Sequence, residues 1–172
     1  MKYLPFENFV LITNLSVEEV RNRLANNVEP QKKAFISSSK QNTLKPYHGS
    51  IFNNTFKIFR IINYRNSFVP VISGEISKAY GKTEIAIKMK PVLFVLIFMA
   101  FWMGTVGVIC IGILVMAVLE FKDLIQNGFS PPILIPFGMF IFGYLLITLS
   151  FKYESSTSKE FLKDLFEAQY KD

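Results

Sequence analysis

Chemically versatile side chains are scarce: one Cys and one His occur in 172 residues. A lone Cys cannot close an intramolecular disulfide, and Cys110, set in an apolar run, reads as a small buried hydrophobe. His48 has no Cys, His, Asp or Glu at spacings that suit zinc or a catalytic triad. Gly-rich phosphate loops, H-E-x-x-H and G-x-S-x-G are absent as well. Paired carboxylates are few: Glu18 and Glu19 fit a helix start, Glu75 and Glu84 an exposed sheet face. These absences lead us to expect no catalysis, no metal and no cofactor. The opening MKYLPFENFVLITNLS lacks the apolar core and cleavage site of a secretory signal, so the N-terminal part is expected to stay in the mature protein.

Charge is also absent where it matters most. Hydrophobic residues make up 51% of the chain and charged ones 19%, which excludes extended disorder, yet residues 91–119 and 131–151 carry no charge at all. The first run, 29 residues, would extend about 43 Å as one helix, against a hydrocarbon core of about 30 Å. The second, of 21 residues, is near the minimum for a span, with Pro131 and Pro132 suited to its first turn and Pro136 expected to kink or delay it. A soluble domain of this size has too little other mass to cover two such helices. No ionisable group lies in either run, which disfavours a transporter or channel. The connection, residues 120–130, is short enough to force a hairpin, and Phe121, Leu124 and Ile125 ahead of Asn127–Gly128 suggest a short interfacial helical turn.

Retained Lys and Arg set orientation. Residues 1–90 hold 14 of the 19, the connection holds Lys122 alone, and the tail after Phe151 holds four. Lys88 and Lys90 precede the first run and Lys152 follows the second. Both termini are therefore expected in the cytoplasm. The balance of +8 over residues 1–90, 14 basic minus 6 acidic, is accounted for by retention and by nearby anionic lipid, so no nucleic-acid partner is expected. Ala100, Gly104 and Gly107 in the first run, with Gly112, and Gly138 and Gly143 in the second, permit close helix packing, either inside the hairpin or in an oligomer seam.

The polar flanks read as an α+β domain. A strand is expected within ENFVLITNL, where Phe9, Leu11 and Thr13 alternate with Val10, Ile12 and Asn14. Ser16 and Glu19 form a capping box, Leu15 and Val20 a hydrophobic staple, and Val17, Val20 and Leu24 one stripe of a helix over residues 17–27. Residues around Pro30 to Lys45 read as a loop. Strands are expected at 49–52, 55–62, 69–77 and 83–90, joined by turns at Asn53–Asn54, Tyr64–Ser67 and Tyr80–Gly81. Alternation of Ile85, Ile87 and Met89 with Glu84, Ala86 and Lys88 marks an antiparallel sheet covered on one face. Thr157 and Glu160 repeat the capping signature ahead of Phe161, Leu162, Leu165 and Phe166, with Lys163 and Glu167 as an i,i+4 pair, so a separate amphipathic helix is expected to dock on the sheet. The expected organisation is a cytoplasmic α+β domain (1–90), a first transmembrane helix (91–119), an extracytoplasmic loop (120–130), a second transmembrane helix (131–151) and a cytoplasmic helix (152–172). A small antiparallel sheet with amphipathic helices at both ends would thus be split by a transmembrane hairpin.

One local cluster stands out, FKIFRIINYRNSFVP. Arg60, Tyr64, Arg65, Asn66 and Ser67 gather two guanidinium groups beside hydroxyl and amide groups at a turn, a set able to hold a phosphate, lipid headgroup or anionic partner. Asn66 and Ser67 are equally ordinary turn formers, and the arginines can instead contact the sheet end. Together with the KTEIAIKMK strand and the FMAFWMG run, the Arg-x-x-x-Tyr-Arg-Asn-Ser-Phe turn resembles that of a group of bacterial two-span membrane proteins with no assigned activity. Arg60, Tyr64, Arg65, Asn66, Ser67 and Phe68 match its pattern, over about a third of the chain with the flanking segments. The order strand, helix, antiparallel strands, C-terminal helix is similar to helix-grip lipid-binding domains, an analogy of fold only. The expected role is an inner-membrane protein with a membrane-proximal binding domain for membrane lipid or a protein partner. The alternatives are a structural protein, homo-oligomer or complex subunit acting through helix packing, and, more remotely, a membrane-bound enzyme.

Overall fold

The computed structural model describes residues 4–30, 45–120 and 131–171. In chain order the elements are β1 (Glu7–Thr13), α1 (Val17–Asn27), β2 (Val28–Pro30), β3 (Tyr47–Phe52), β4 (Thr55–Arg60), β5 (Val71–Ala79), β6 (Lys82–Lys90), α2 (Leu93–Leu119), a 3-10 turn (Pro131–Leu134), α3 (Ile135–Leu165) and β7 (Gln169–Tyr170). Two compact units result, one within Met1–Val92 and Ser150–Asp172, the other within Leu93–Leu149. The loop expected after Pro30 and the interfacial turn expected at 121–128 lie largely or wholly outside the described residues.

The first unit is built on a seven-stranded sheet ordered β2-β3-β4-β5-β6-β1-β7. Each strand of the centre alternates as the sequence requires: Ile85, Ile87 and Met89 of β6 are buried while Ala86, Lys88 and Lys90 are exposed. Short turns set the registers. Phe52 pairs with Thr55 around Asn53, which takes φ +50°, and Ala79 pairs with Lys82 around Tyr80 and Gly81, both at positive φ as a type I′ turn demands. The strand expected at 69–77 starts later, at Val71, because Pro70 has no N–H for the ladder.

The expectation of a purely antiparallel sheet is corrected. β2 runs parallel to β3, with Val28 opposite Tyr47 and Pro30 opposite Gly49. Pro30 is compatible with a strand there because β2 is an edge. β7 closes the other side of the sheet against Leu11 and Ile12.

Among the described residues, α1 and the last part of α3 cover one face of the sheet. Ser16 caps α1 by accepting from Glu19 N–H at 3.1 Å, and Val20 and Leu24 face the sheet. Leu11, Tyr47, Ile58, Ile72, Ile76 and Ile87 meet Phe151, Leu162 and Phe166 in one core. The tail ends in a left-handed turn: Glu167 has φ +47° and the Ala168 N–H reaches Lys163 O, a Schellman closure. Arg23 of α1 completes this end, donating to Leu165 O at 3.0 Å and to Glu167 at 2.7 Å.

A second correction concerns that tail. No new helix begins at Thr157; α3 continues unbroken from Ile135 to Leu165, and the Thr157 hydroxyl donates back to Tyr153 O at 3.2 Å. Residues 151–157 contain neither Gly nor Pro, so nothing stops the helix, and an isolated cap signature is overridden by propagation. Pro131 and Pro132 lie in the 3-10 turn and Pro136 in the first turn of α3, so the prolines delay the helix rather than break it.

In the second unit, α2 and the first part of α3 are apolar along their length, and both helices are long and apolar enough to cross a membrane. A Cβ on Gly107 would meet the Phe140 ring at 3.4 Å, and one on Gly143 would meet Met103 Sδ at 3.2 Å.

Candidate functional site

The buried stripe of the final part of α3 runs Phe151, Glu154, Ser158, Leu162, Phe166, stepping by three and four residues, with Ser155 buried beside Glu154. Helical geometry thus carries Glu154 onto the face that packs against the sheet, where it is fully buried. An ionised carboxylate in such a place needs partners.

Those partners come from the end of β4 and the loop after it. Arg60, the last residue of β4, lies on the same sheet face as Ile58 and puts Nη1 2.8 Å from Glu154 Oε2. Asn66 donates from Nδ2 to Oε1 at 2.9 Å, while its own Oδ1 accepts the Phe68 N–H at 2.9 Å. That Asx turn fixes the amide orientation. The Tyr64 hydroxyl donates to Oε1 as well. This hydrogen bond, with burial second, moves the Tyr64 hydroxyl above its ordinary value of 10.0. Glu154 therefore has both oxygens engaged by three donors, one of them cationic.

Of the five residues singled out at the turn, three converge and two do not. Arg60, Tyr64 and Asn66 form a cradle for an anion, and the anion is the chain's own Glu154. Arg65 and Ser67 are exposed. Glu154 itself went unrecognised, although a signal was present: extending the Phe166–Leu162 stripe backwards by steps of four passes through Ser158 to Glu154.

Basic residues around the apolar segments divide similarly. Lys152 and Lys159, both on α3, grip Glu7 at the start of β1, Lys159 at 2.7 Å and also over the Phe9 ring at 5.3 Å. Burial alone would raise the Glu7 carboxyl; hydrogen bonds from Lys152 and Lys159, with their charge, outweigh it and hold Glu7 below its ordinary value of 4.5. Lys88 and Lys90 stay exposed on β6. His48 stacks on Phe59 at 5.3 Å, and burial lowers its pKa against the pull of Glu29. Among the described residues no three His, Cys, Asp or Glu groups gather to hold a metal ion. The small residues also divide: Gly107 and Gly143 face neighbouring side chains, whereas Ala100, Gly104 and Gly138 are exposed, with open space where a Cβ would stand on either glycine.

Against known protein families, curated proteins and solved structures, the chain matches none.

Proposed function

We propose that this chain is an integral protein of a bacterial inner membrane, whose two polar flanks form one cytoplasmic α+β domain, without catalysis, that binds an anionic lipid headgroup or a protein partner. In this reading α2 and the first part of α3 are a transmembrane hairpin, bounded by residues 91–119 and 131–151, and residues 120–130 are the extracytoplasmic loop. The observation that carries it is how little of the apolar surface is covered: only 17% of the most apolar window of either helix is buried. Leaving such a surface in water would cost about 25 cal/mol for each Å², which lipid removes. The charge asymmetry supports the orientation, with 14 of 19 Lys and Arg ahead of the first run and one in the connection.

Two measurements test this. The full chain should stay in the membrane pellet after alkaline carbonate extraction, and a Cys placed at residue 125 should react only with reagent added outside the cell. Release by carbonate, or labelling only after lysis, would refute the span or its orientation.

A second reading has its own support. Gly104 and Gly138 are open where Gly107 and Gly143 are not, which suits a homo-oligomer or complex subunit packing through Ala100, Gly104 and Gly138. Gly104→Leu should then shift the species seen in mild detergent towards monomer. Strictly monomeric wild-type protein would end that reading.

A further inference from the structure

Arg60 of the turn and Lys152 and Lys159 of α3 are already matched to carboxylates, so an external anion has better partners elsewhere. The sheet face opposite the core is the place. Across it, cross-strand pairing aligns Ser50, Lys57, Ser73 and Lys88 in one row over β3, β4, β5 and β6. Alternation sets this row against the buried Ile58, Ile72 and Ile87, so all four side chains point to the face opposite the core. Two strand spacings, about 10 Å, separate Lys57 from Lys88, and the Ser73 hydroxyl lies between them. A concavity of about 450 Å³ is lined by these four residues together with Glu75 and Phe52.

Position and charge together distinguish this row: Arg65, Lys90 and Lys163, among others, also lack a carboxylate within 4 Å among the described residues, but only Lys57 and Lys88 line the concavity. Arg23, Arg60, Lys152, Lys159 and Lys171 each have a carboxylate within 4 Å, whereas Lys57 and Lys88 have none among the described residues. Two unmatched ammonium groups flanking a hydroxyl complement a phosphate: flexible lysine stems reach in from either side and Ser73 donates from the middle. Covalent reach selects the source. Leu93, the first residue of α2, lies five positions after Lys88, a span of at most about 18 Å. If α2 enters the bilayer, that length keeps the row within reach of the headgroup layer.

We propose that the Lys57–Ser73–Lys88 row is a binding bay for the phosphate of an anionic phospholipid headgroup. It rests on the membrane reading above and assigns that reading its ligand. Glu75 lines the same concavity and opposes the anion, so its removal should tighten binding.

The test uses the full chain in nonionic micelles doped with phosphatidic acid or phosphatidylcholine, with retained lipid counted by native mass spectrometry. Wild type should retain phosphatidic acid preferentially, and Lys57→Gln with Lys88→Gln should weaken that by about thirtyfold, from about 1 kcal/mol for each basic residue near an anionic surface. Glu75→Gln should strengthen retention of phosphatidic acid and not of phosphatidylcholine, and Arg65→Gln should leave it unchanged. Retention within about twofold of wild type in the double variant overturns the bay, and loss in Arg65→Gln instead returns the headgroup to the turn. No preference in wild type also overturns it, while carbonate extraction decides separately whether the chain is membrane-integral. Displacement of the lipid by an equal concentration of inorganic phosphate would make free phosphate the ligand and refute the lipid assignment.

Discussion

Replacing Glu154 by Gln keeps the volume of a fully buried side chain and removes only its charge and one acceptor. The new amide must place its NH2 where either Oε1 or Oε2 was. Asn66 cannot adapt at the Oε1 side, because its Oδ1 is held by the Phe68 N–H and its Nδ2 must donate. The amide nitrogen therefore goes to the Oε2 side, facing Arg60 Nη1 across a 2.8 Å gap that formerly held a hydrogen bond. Two donors then oppose each other and Arg60, with 27% of its side chain exposed, turns to water. The expected cost is about 1.5–3 kcal/mol, the worth of one hydrogen bond to a charged group, reduced by the share of the guanidinium that solvent recovers. Glu154→Leu removes all three contacts and should cost about 3–5 kcal/mol, the range for breaking a buried ion pair from one side. Chemical unfolding of the full chain in detergent gives the total. Hydrogen exchange at the Phe68 amide reports the local part, because that N–H is held only while Asn66 is. A Gln variant within about 0.5 kcal/mol of wild type, a surface-like value, with unchanged Phe68 protection, would refute the cradle.

Acidification should weaken the first unit through Glu7: a carboxyl held below its ordinary 4.5 contributes stability above that pH and loses it as pH falls through the folded value. Glu7→Gln should flatten this part of the stability–pH curve below pH 4.5, and an unchanged acid limb in chemical unfolding would show that the Lys152–Glu7–Lys159 triple contributes nothing. Leu162→Ala opens a cavity beneath Phe151 and Phe166 in the core cluster and should cost about 2–5 kcal/mol by the same unfolding measurement; a loss below about 1 kcal/mol would mean that the tail is not packed there. A Cβ at Gly74 would lie 2.1 Å from the Phe56 ring, so Gly74→Ala should destabilise by about 1–3 kcal/mol. Phe56→Leu should recover part of that loss in the double variant, and strict additivity would exclude the clash.

Sequence patterns found what period and turn chemistry control. The α1 cap, the alternation of β6 and the hairpin turns were legible because each depends on neighbours within a few residues. The parallel pairing of β2 was not, since three residues ending in Pro30 resemble a loop until β3 is placed beside them. Thr157 misled for the reciprocal reason: its cap signature is local, whereas helix continuation is decided by the absence of any breaker from 151 to 157. At the turn, the residue types suit an anion, and the anion that Arg60, Tyr64 and Asn66 hold lies far off in sequence, 94 positions from Arg60. No local pattern encodes such a pairing; the stripe through Leu162 and Ser158 did encode that Glu154 would be buried.

Burial and charge together explain why a glutamate occupies a stripe otherwise made of Phe, Ser and Leu. A buried ion pair is poor support for stability, since desolvation offsets most of its attraction, and Leu at 154 paired with an apolar residue at 60 could pack as well. Selectivity is a different matter. Ser155 and Ser158 add little to the apolar contacts that fix the rotation of α3, which rest on the fully buried Phe151, Leu162 and Phe166, and a helix turned by one residue would expose those three. Such a turn, about 100° per residue, would carry Glu154 away from Arg60, Tyr64 and Asn66 together and leave the guanidinium facing the core. Lys152 and Lys159 impose the same restriction from the other side through Glu7. Two ion clusters on opposite flanks of one helix thus reinforce the rotation against the sheet that its apolar contacts set.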